Sequence, residues 1–298
     1  MNAFKNAFKI LGNKFAFLWI HIGYYALAFF LLASVCLSVL VPYINKIVDG
    51  FNMAKRISEI GQVIIDGGAL TKAADLIKTL AADIGSVFTG STGFPTISIL
   101  LLLTILWRFV LGLGDVAFYH CIDMHLSSAI KQNFRASFIK NMGKSAKYQL
   151  CKMLFALPLD IALFGILYLA SILFSAPLLL FFTPFVLLLL FILLYSLRLS
   201  VFSGWAPEIL HSENKKIFPA FYQSFKLLGK NFGRVYGSVT LYVTIAVAVN
   251  IFFGIFTLGV GLIVTVPLTF YMMFILNSTL YYQNNNLRYY VDKDTIIN

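Results

Sequence analysis

Arg108, Gly112 and Asp115 follow one another at i, i+4 and i+7 inside an otherwise apolar run, TISILLLLTILWRFVLGLGDVAFY (Thr96 to Tyr119). On one continuous helix that spacing puts all three on a single face. Charge within a membrane is costly enough that such a pair is first a functional hypothesis. Arg108 would hold an anionic headgroup or substrate, and Asp115 would be its counter-ion or a proton carrier. The plainer alternative is that the two neutralise each other within a helix bundle, and both readings stand at this point.

HCIDMH (His120 to His125) has the residue types of a metal box. Cys121 and His125 share a face at i+4, but His120 points about 100° away, and no second cluster at ligand spacing completes a site. No metal is expected, and a helix end with polar tips accounts for the motif. Asp160, two residues after Pro158, stands near the start of another apolar run, placed to cap a helix or bridge to a loop lysine. His21, Asn250 and Asn277 are single polar groups in apolar surroundings, where interhelical hydrogen bonds are the expected use.

Other chemistry is not written in the chain. It has no Walker spacing, no complete G-x-G-x-x-G, no G-x-S-x-G and no H-E-x-x-H, so neither a cofactor nor a catalytic residue is assigned. An enzyme is not the expected class. The three cysteines, Cys36, Cys121 and Cys151, are odd in number, and the last two fall on the reducing side, so no disulfide framework follows.

The elements that must carry these residues are set by composition. Hydrophobic residues make up 60% of the chain and charged residues 12%, with a mean hydropathy of +0.86; soluble domains run at roughly 45–50% and 25%. This is the composition of a membrane protein. The net charge of +11 then fits loops facing anionic lipid of the inner leaflet, not nucleic acid.

No charge lies between Asp160 and Arg198, a run of 37 residues. As one helix it would be about 55 Å long, against a hydrocarbon core of about 30 Å. It must fold back, and the two prolines of SAPLLLFFTP (Ser175 to Pro184) mark the turn. The 53 uncharged residues between Arg234 and Arg288 again make two spans, turning near LGVG (Leu258 to Gly261). With Phe15 to Val41 and Thr96 to Tyr119 the total is six spans. The first is too long for a signal-peptide core, usually about 7–15 residues, and lacks a clear cleavage site.

The expected fold is therefore an all-α polytopic membrane protein. Three lysines precede the first span, and six Lys or Arg stand in each of the segments 121–153 and 198–234. The loop 43–95 holds five basic residues against five acidic ones. The positive-inside rule then places both termini in the cytoplasm.

AFKNAFKILGNKF (Ala3 to Phe15) recurs as AFYQSFKLLGKNF (Ala220 to Phe232) with seven identical positions. Phe4, Phe8, Leu11 and Phe15, like Phe221, Phe225, Leu228 and Phe232, fall on one helical face. Lys5 and Lys9 flank the first face, and Lys226, Lys230 and Arg234 the second, as in an interfacial helix with snorkelling cations. Ile130 to Lys147 is a looser third copy, with Lys131 and Arg135 beside Phe134 and Phe138 and its Gly143 one residue out of register.

Each copy precedes a pair of spans, so the chain reads as three hairpins, each led by a basic amphipathic helix: 1–120, 121–198 and 199–298. The first carries an external insertion, 43–95, expected to form two short amphipathic helices between Lys46 and Gly93. Packing on the span ends, a lid and a partner surface are its possible uses.

Pro207, Glu208 and Ile209, the A-F-x-x-S-F helix Ala220 to Phe225, and the Tyr-rich exit YYQNNNLRYYVD (Tyr281 to Asp292) together carry a resemblance. The chain resembles a group of bacterial six-span integral membrane proteins that includes the membrane domain fused to some glycerophosphodiester phosphodiesterases. The resemblance covers about the last third of the chain and implies a bacterial plasma membrane address. It brings no activity, because no phosphodiesterase domain accompanies it here.

Two function classes lead. One is a non-enzymatic membrane component supporting a transport or envelope complex, whose partner would be a protein such as a transporter subunit. The other is an autonomous small-molecule or lipid transporter whose path runs past Arg108 and Asp115.

Overall fold

Amides in hydrocarbon have no water to bond to, so a spanning segment must pair its backbone internally, and this chain does so with helices. The computed structural model describes residues 2–51, 93–130, 133–174, 182–211, 216–292 and 295–297, with scattered positions between 55 and 82. Among the described residues six segments are long and apolar enough to cross a membrane: Phe15–Val41, Ile97–Ser128, Phe134–Leu173, Thr183–His211, Phe232–Phe256 and Leu262–Asn284. The fold is that of an all-α, multi-pass membrane protein. Most of the insertion between Lys46 and Gly93 lies outside the described residues.

In chain order the described helices are α1 (Asn2–Asn13), α2 (Phe15–Phe51), α3 (Gly93–Gly112), α4 (Asp115–Ser128) and α5 (Phe134–Leu173). They continue as α6 (Thr183–Phe202), α7 (Trp205–His211), α8 (Ile217–Lys230), α9 (Phe232–Phe256) and α10 (Leu262–Asn284). Two short strands, β1 (Tyr289–Tyr290) and β2 (Ile296–Ile297), pair antiparallel after them.

Two local features depart from a plain run of spans. The second span is broken at Leu113 and Gly114, between α3 and α4. A side chain at Gly114 would bring its Cβ within 2.8 Å of the Tyr24 ring, so the close approach of that ring requires glycine. The third span does not follow a separate amphipathic helix, as expected; residues 134–173 form one unbroken helix of 40 residues. The first and third copies of the repeated phrase do end one residue before the next helix, at Asn13 and Lys230. In the second copy Asn141, Ser145, Tyr148 and Gln149 form one buried face at i, i+4, i+7 and i+8. That face carries the helix past the point where its relatives stop.

Contacts divide the chain into two units, one of Met1–Ala26 with Leu111–Asn298 and one of Leu27–Val110.

The larger unit is centred on aromatic packing. Trp205, fully buried, has the rings of Tyr148, Phe155, Phe202 and Phe221 around it at 4.5–6.2 Å and donates its indole N–H to the Ile217 carbonyl at 2.8 Å. Helix α1 packs on α10 through Ala3, Ala7 and Ile10. Asn6 donates to the Tyr289 hydroxyl at 2.7 Å and Asn13 to the Val291 carbonyl, which ties the C-terminal residues to the N-terminal helix.

All three copies turn the same position inward. Ala7, Ser137 and Ser224, each just before a phenylalanine, are buried, while Phe8 and Phe225 beside them are about half exposed. A small residue there lets the helix backbone approach its neighbour and leaves the ring pointing out.

In the smaller unit Phe29 and Trp107 meet edge to face at 5.5 Å. Leu27, Phe30, Leu101 and Leu102 are exposed, and the hydroxyls of Ser38 and Thr104 bond back to the carbonyls of Ser34 and Leu100. Both habits suit a surface that meets lipid, since neither hydroxyl depends on water for a partner.

Candidate functional site

Asp115 and Asp160, both buried, and the partly buried Asp123 are carboxylates of the larger unit that are each met by a donor from another helix. Asp115, in the first turn of α4, receives Gln149 Nε2 at 2.6 Å and Lys152 Nζ at 3.1 Å, both from α5. Gln149 also reaches the Gly112 carbonyl at 2.8 Å, and a Cβ on Gly112 would collide with its amide. A side chain at 112 would have to displace that amide from its place. Leu113 and Gly114, two turn residues, stand between Arg108 and Asp115 in the chain. Arg108 lies in the smaller unit, half-buried.

Asp160 is not at a helix start and does not cap one. It sits in the middle of α5 and takes Arg198 of α6, Nε to Oδ1 at 2.6 Å and Nη2 to Oδ2 at 3.3 Å. The Arg198 guanidinium also lies over the rings of Tyr195 and Phe202, at 5.6 and 5.9 Å. The two charges that bracket the long apolar run are thus brought together when α6 packs back on α5. In that apolar setting a forked guanidinium–carboxylate pair satisfies both groups at once.

Asp123 is the carboxylate that sequence reasoning missed. Its Oδ1 accepts the Tyr282 hydroxyl at 2.7 Å and lies 2.7 Å from His211 Nε2, and the His211 ring stacks on Tyr281 at 5.2 Å. This joins α4, α7 and α10. The available signal was an acid inside HCIDMH, but its neighbours drew attention toward metal chemistry. In the structure His120 Nδ1 lies 3.2 Å from the Ser137 hydroxyl, while Cys121 and His125 are buried. Among the described residues no group of three or more His, Cys, Asp or Glu side chains is placed to hold a metal ion.

The isolated polar groups separate into two kinds. Asn250 accepts from Thr265 at 2.7 Å and Asn277 donates to the Tyr119 hydroxyl at 2.8 Å, each across two helices. His21 does not make the interhelical hydrogen bond expected of it. Neither ring nitrogen has a partner among the described residues, because Tyr25, Phe118, Tyr271 and Phe274 enclose the ring at 4.4–5.7 Å. It behaves as one more aromatic ring in the core.

The cations flanking the repeated phrase are outside. Lys5, Lys9, Arg135, Lys226, Lys230 and Arg234 are exposed, and Lys131 lies outside the described residues. Chemically, the interior groups accept hydrogen bonds and tie helices, while the surface groups offer positive charge. Replacing Tyr282 by phenylalanine removes one donor to Asp123 without changing the ring, and is expected to cost about 1–2 kcal/mol. Denaturation of the purified protein in mixed micelles checks it, with Asp123→Asn as the companion variant.

Comparison of the chain with protein-family models, with curated proteins and with solved structures gave no match.

Proposed function

We propose that the protein is a non-enzymatic component of a bacterial plasma membrane that supports a transport or envelope complex, with both termini in the cytoplasm. The observation that carries this reading is the use of the interior charge. Asp115, Asp123 and Asp160 each bind a donor from another helix, so these groups act as struts. Strut-like pairs hold helices in register and leave a rigid outer surface to work with.

That surface supports the same reading. The exposed cations of α1, α5, α8 and the start of α9 form basic helical flanks next to the spans, suited to anionic headgroups and to an acidic partner. The three inward small residues, Ala7, Ser137 and Ser224, support a common origin for those flanks.

Purification of the tagged protein from native membranes in mild detergent, followed by mass spectrometry of everything that accompanies it, tests the proposal. A companion at fixed ratio is expected, and its loss on charge reversal of Lys5 and Lys9 would locate the contact. Isolation of the chain with lipid alone would end the support reading and make transport past Arg108, tested with Arg108→Leu, the reading to pursue.

A further inference from the structure

An apolar groove of about 350 Å³ runs between α5, α6 and α8 in the larger unit. Leu163 and Ile166 of α5, Leu197 and Val201 of α6, and Phe225 and Gly229 of α8 are among its walls. The volume lies at the low end of ordinary ligand sites, and the lining has one polar side chain, Arg198. That guanidinium already gives Nε and Nη2 to Asp160. Its remaining N–H donors are those of a charge-neutralised pair, suited to a neutral acceptor such as an ester carbonyl.

Two lysines stand next in sequence to residues of the groove wall. Lys226 and Lys230 follow the lining residues Phe225 and Gly229 directly in α8, and both are exposed. Apolar walls, a guanidinium within and ammonium groups at the edge match the three zones of a phospholipid in order: acyl chain, glycerol ester, phosphate. A fatty acid or detergent would leave one zone unmatched, and a protein helix is too wide for the space.

We propose that this groove seats one anionic diacyl phospholipid, with an acyl chain between α5, α6 and α8, the ester region at Arg198 and the phosphate at Lys226 and Lys230. The proposal needs only that the protein spans a membrane, and stands apart from any complex it supports. The lipid fills the wedge between the hairpin and the basic helix, so that α8 is held against the spans by a molecule of the bilayer itself.

Gly229 makes the test direct. Gly229 lines the groove and a Cβ there meets no protein atom within 4 Å, so Gly229→Leu adds bulk at the groove wall without displacing the protein, whereas Gly229→Ala leaves most of the groove open. The protein is placed in nanodiscs of mixed phosphatidylglycerol and phosphatidylcholine, and lipid retained on the ejected protein is read by native mass spectrometry. Wild type and Gly229→Ala are expected to retain one phospholipid, mainly phosphatidylglycerol, and Gly229→Leu to lose it.

The surface variant Lys226→Glu/Lys230→Glu, which leaves the core untouched, is expected to keep a bound lipid. Its preference for phosphatidylglycerol should fall about tenfold or more, since basic residues near a membrane each add to anionic-lipid attraction. Equal retention by wild type and Gly229→Leu overturns the groove. Retained lipid of bilayer composition in the wild type, unchanged by the double reversal, overturns the headgroup assignment even if Gly229→Leu does not fold.

Discussion

Replacing Arg198 by leucine is expected to destabilise the protein by about 3–5 kcal/mol, the range for removing one partner of a buried ion pair. The side chains of Arg198 and Asp160 are 15% and 12% exposed, so little water reaches the carboxylate left behind. The loss includes the guanidinium's contacts with the rings of Tyr195 and Phe202. Replacing both partners, Asp160→Leu with Arg198→Leu, removes the need for either charge and is expected to recover most of the stability. Thermal denaturation of the four proteins in one detergent gives the coupling directly. If the single Arg198→Leu variant melts with the wild type, the pair does not hold α5 to α6.

Trp205→Ala is the second large effect, at about 3–5 kcal/mol. The indole is wholly buried and touches residues of α5, α6 and α8, so its removal opens a cavity at the point where those helices converge. It also leaves the Ile217 carbonyl, at the start of α8, without its indole donor. The expected signature is therefore local as well as global: faster amide exchange in Ile217–Lys230 than in Phe232–Phe256, in addition to a lower melting temperature. Trp205→Phe keeps most of the volume and loses the donor, and is expected to fall between the two. Uniform exchange across both helices would show that Trp205 does not anchor α8.

Several features were legible in the residues themselves. The six spans follow from apolar runs whose length is dictated by hydrocarbon thickness. Leu258 and Gly259 adopt positive φ between α9 and α10, at the turn expected there, while residues 175–181 of the other expected turn lie outside the described residues. The carboxylate sites were legible only in part. Asp115 and Asp160 stood out as charges in apolar runs, but Asp123 is bound to residues 88 and 159 positions away, and nothing local in HCIDMH points to them. Likewise, the need for glycine at 114 comes from Tyr24, a ring on another helix.

The unbroken α5 has a related cause. Its first turns resemble the amphipathic phrase that stops in α1 and α8, and only a buried face formed with α4 continues it. His21 illustrates the opposite limit: a polar residue in an apolar run suggests a hydrogen bond, yet the surrounding rings bring no acceptor.

By itself the amino-acid sequence determined that this chain is helical, crosses a membrane several times and carries its excess positive charge in the segments between apolar runs. Each of these is a property of one segment in one solvent, decided by length, hydropathy and charge. Tertiary structure alone decided that Asp160 takes Arg198, that Asp115 takes Lys152 and Gln149, and that Asp123 joins three helices. Such pairings depend on the rotation and depth of one helix against another, and in a nearly uniform apolar chain many rotations satisfy hydropathy equally well. Steric detail chooses among them: the glycines at 112 and 114, the small residues at 7, 137 and 224, and the indole at 205.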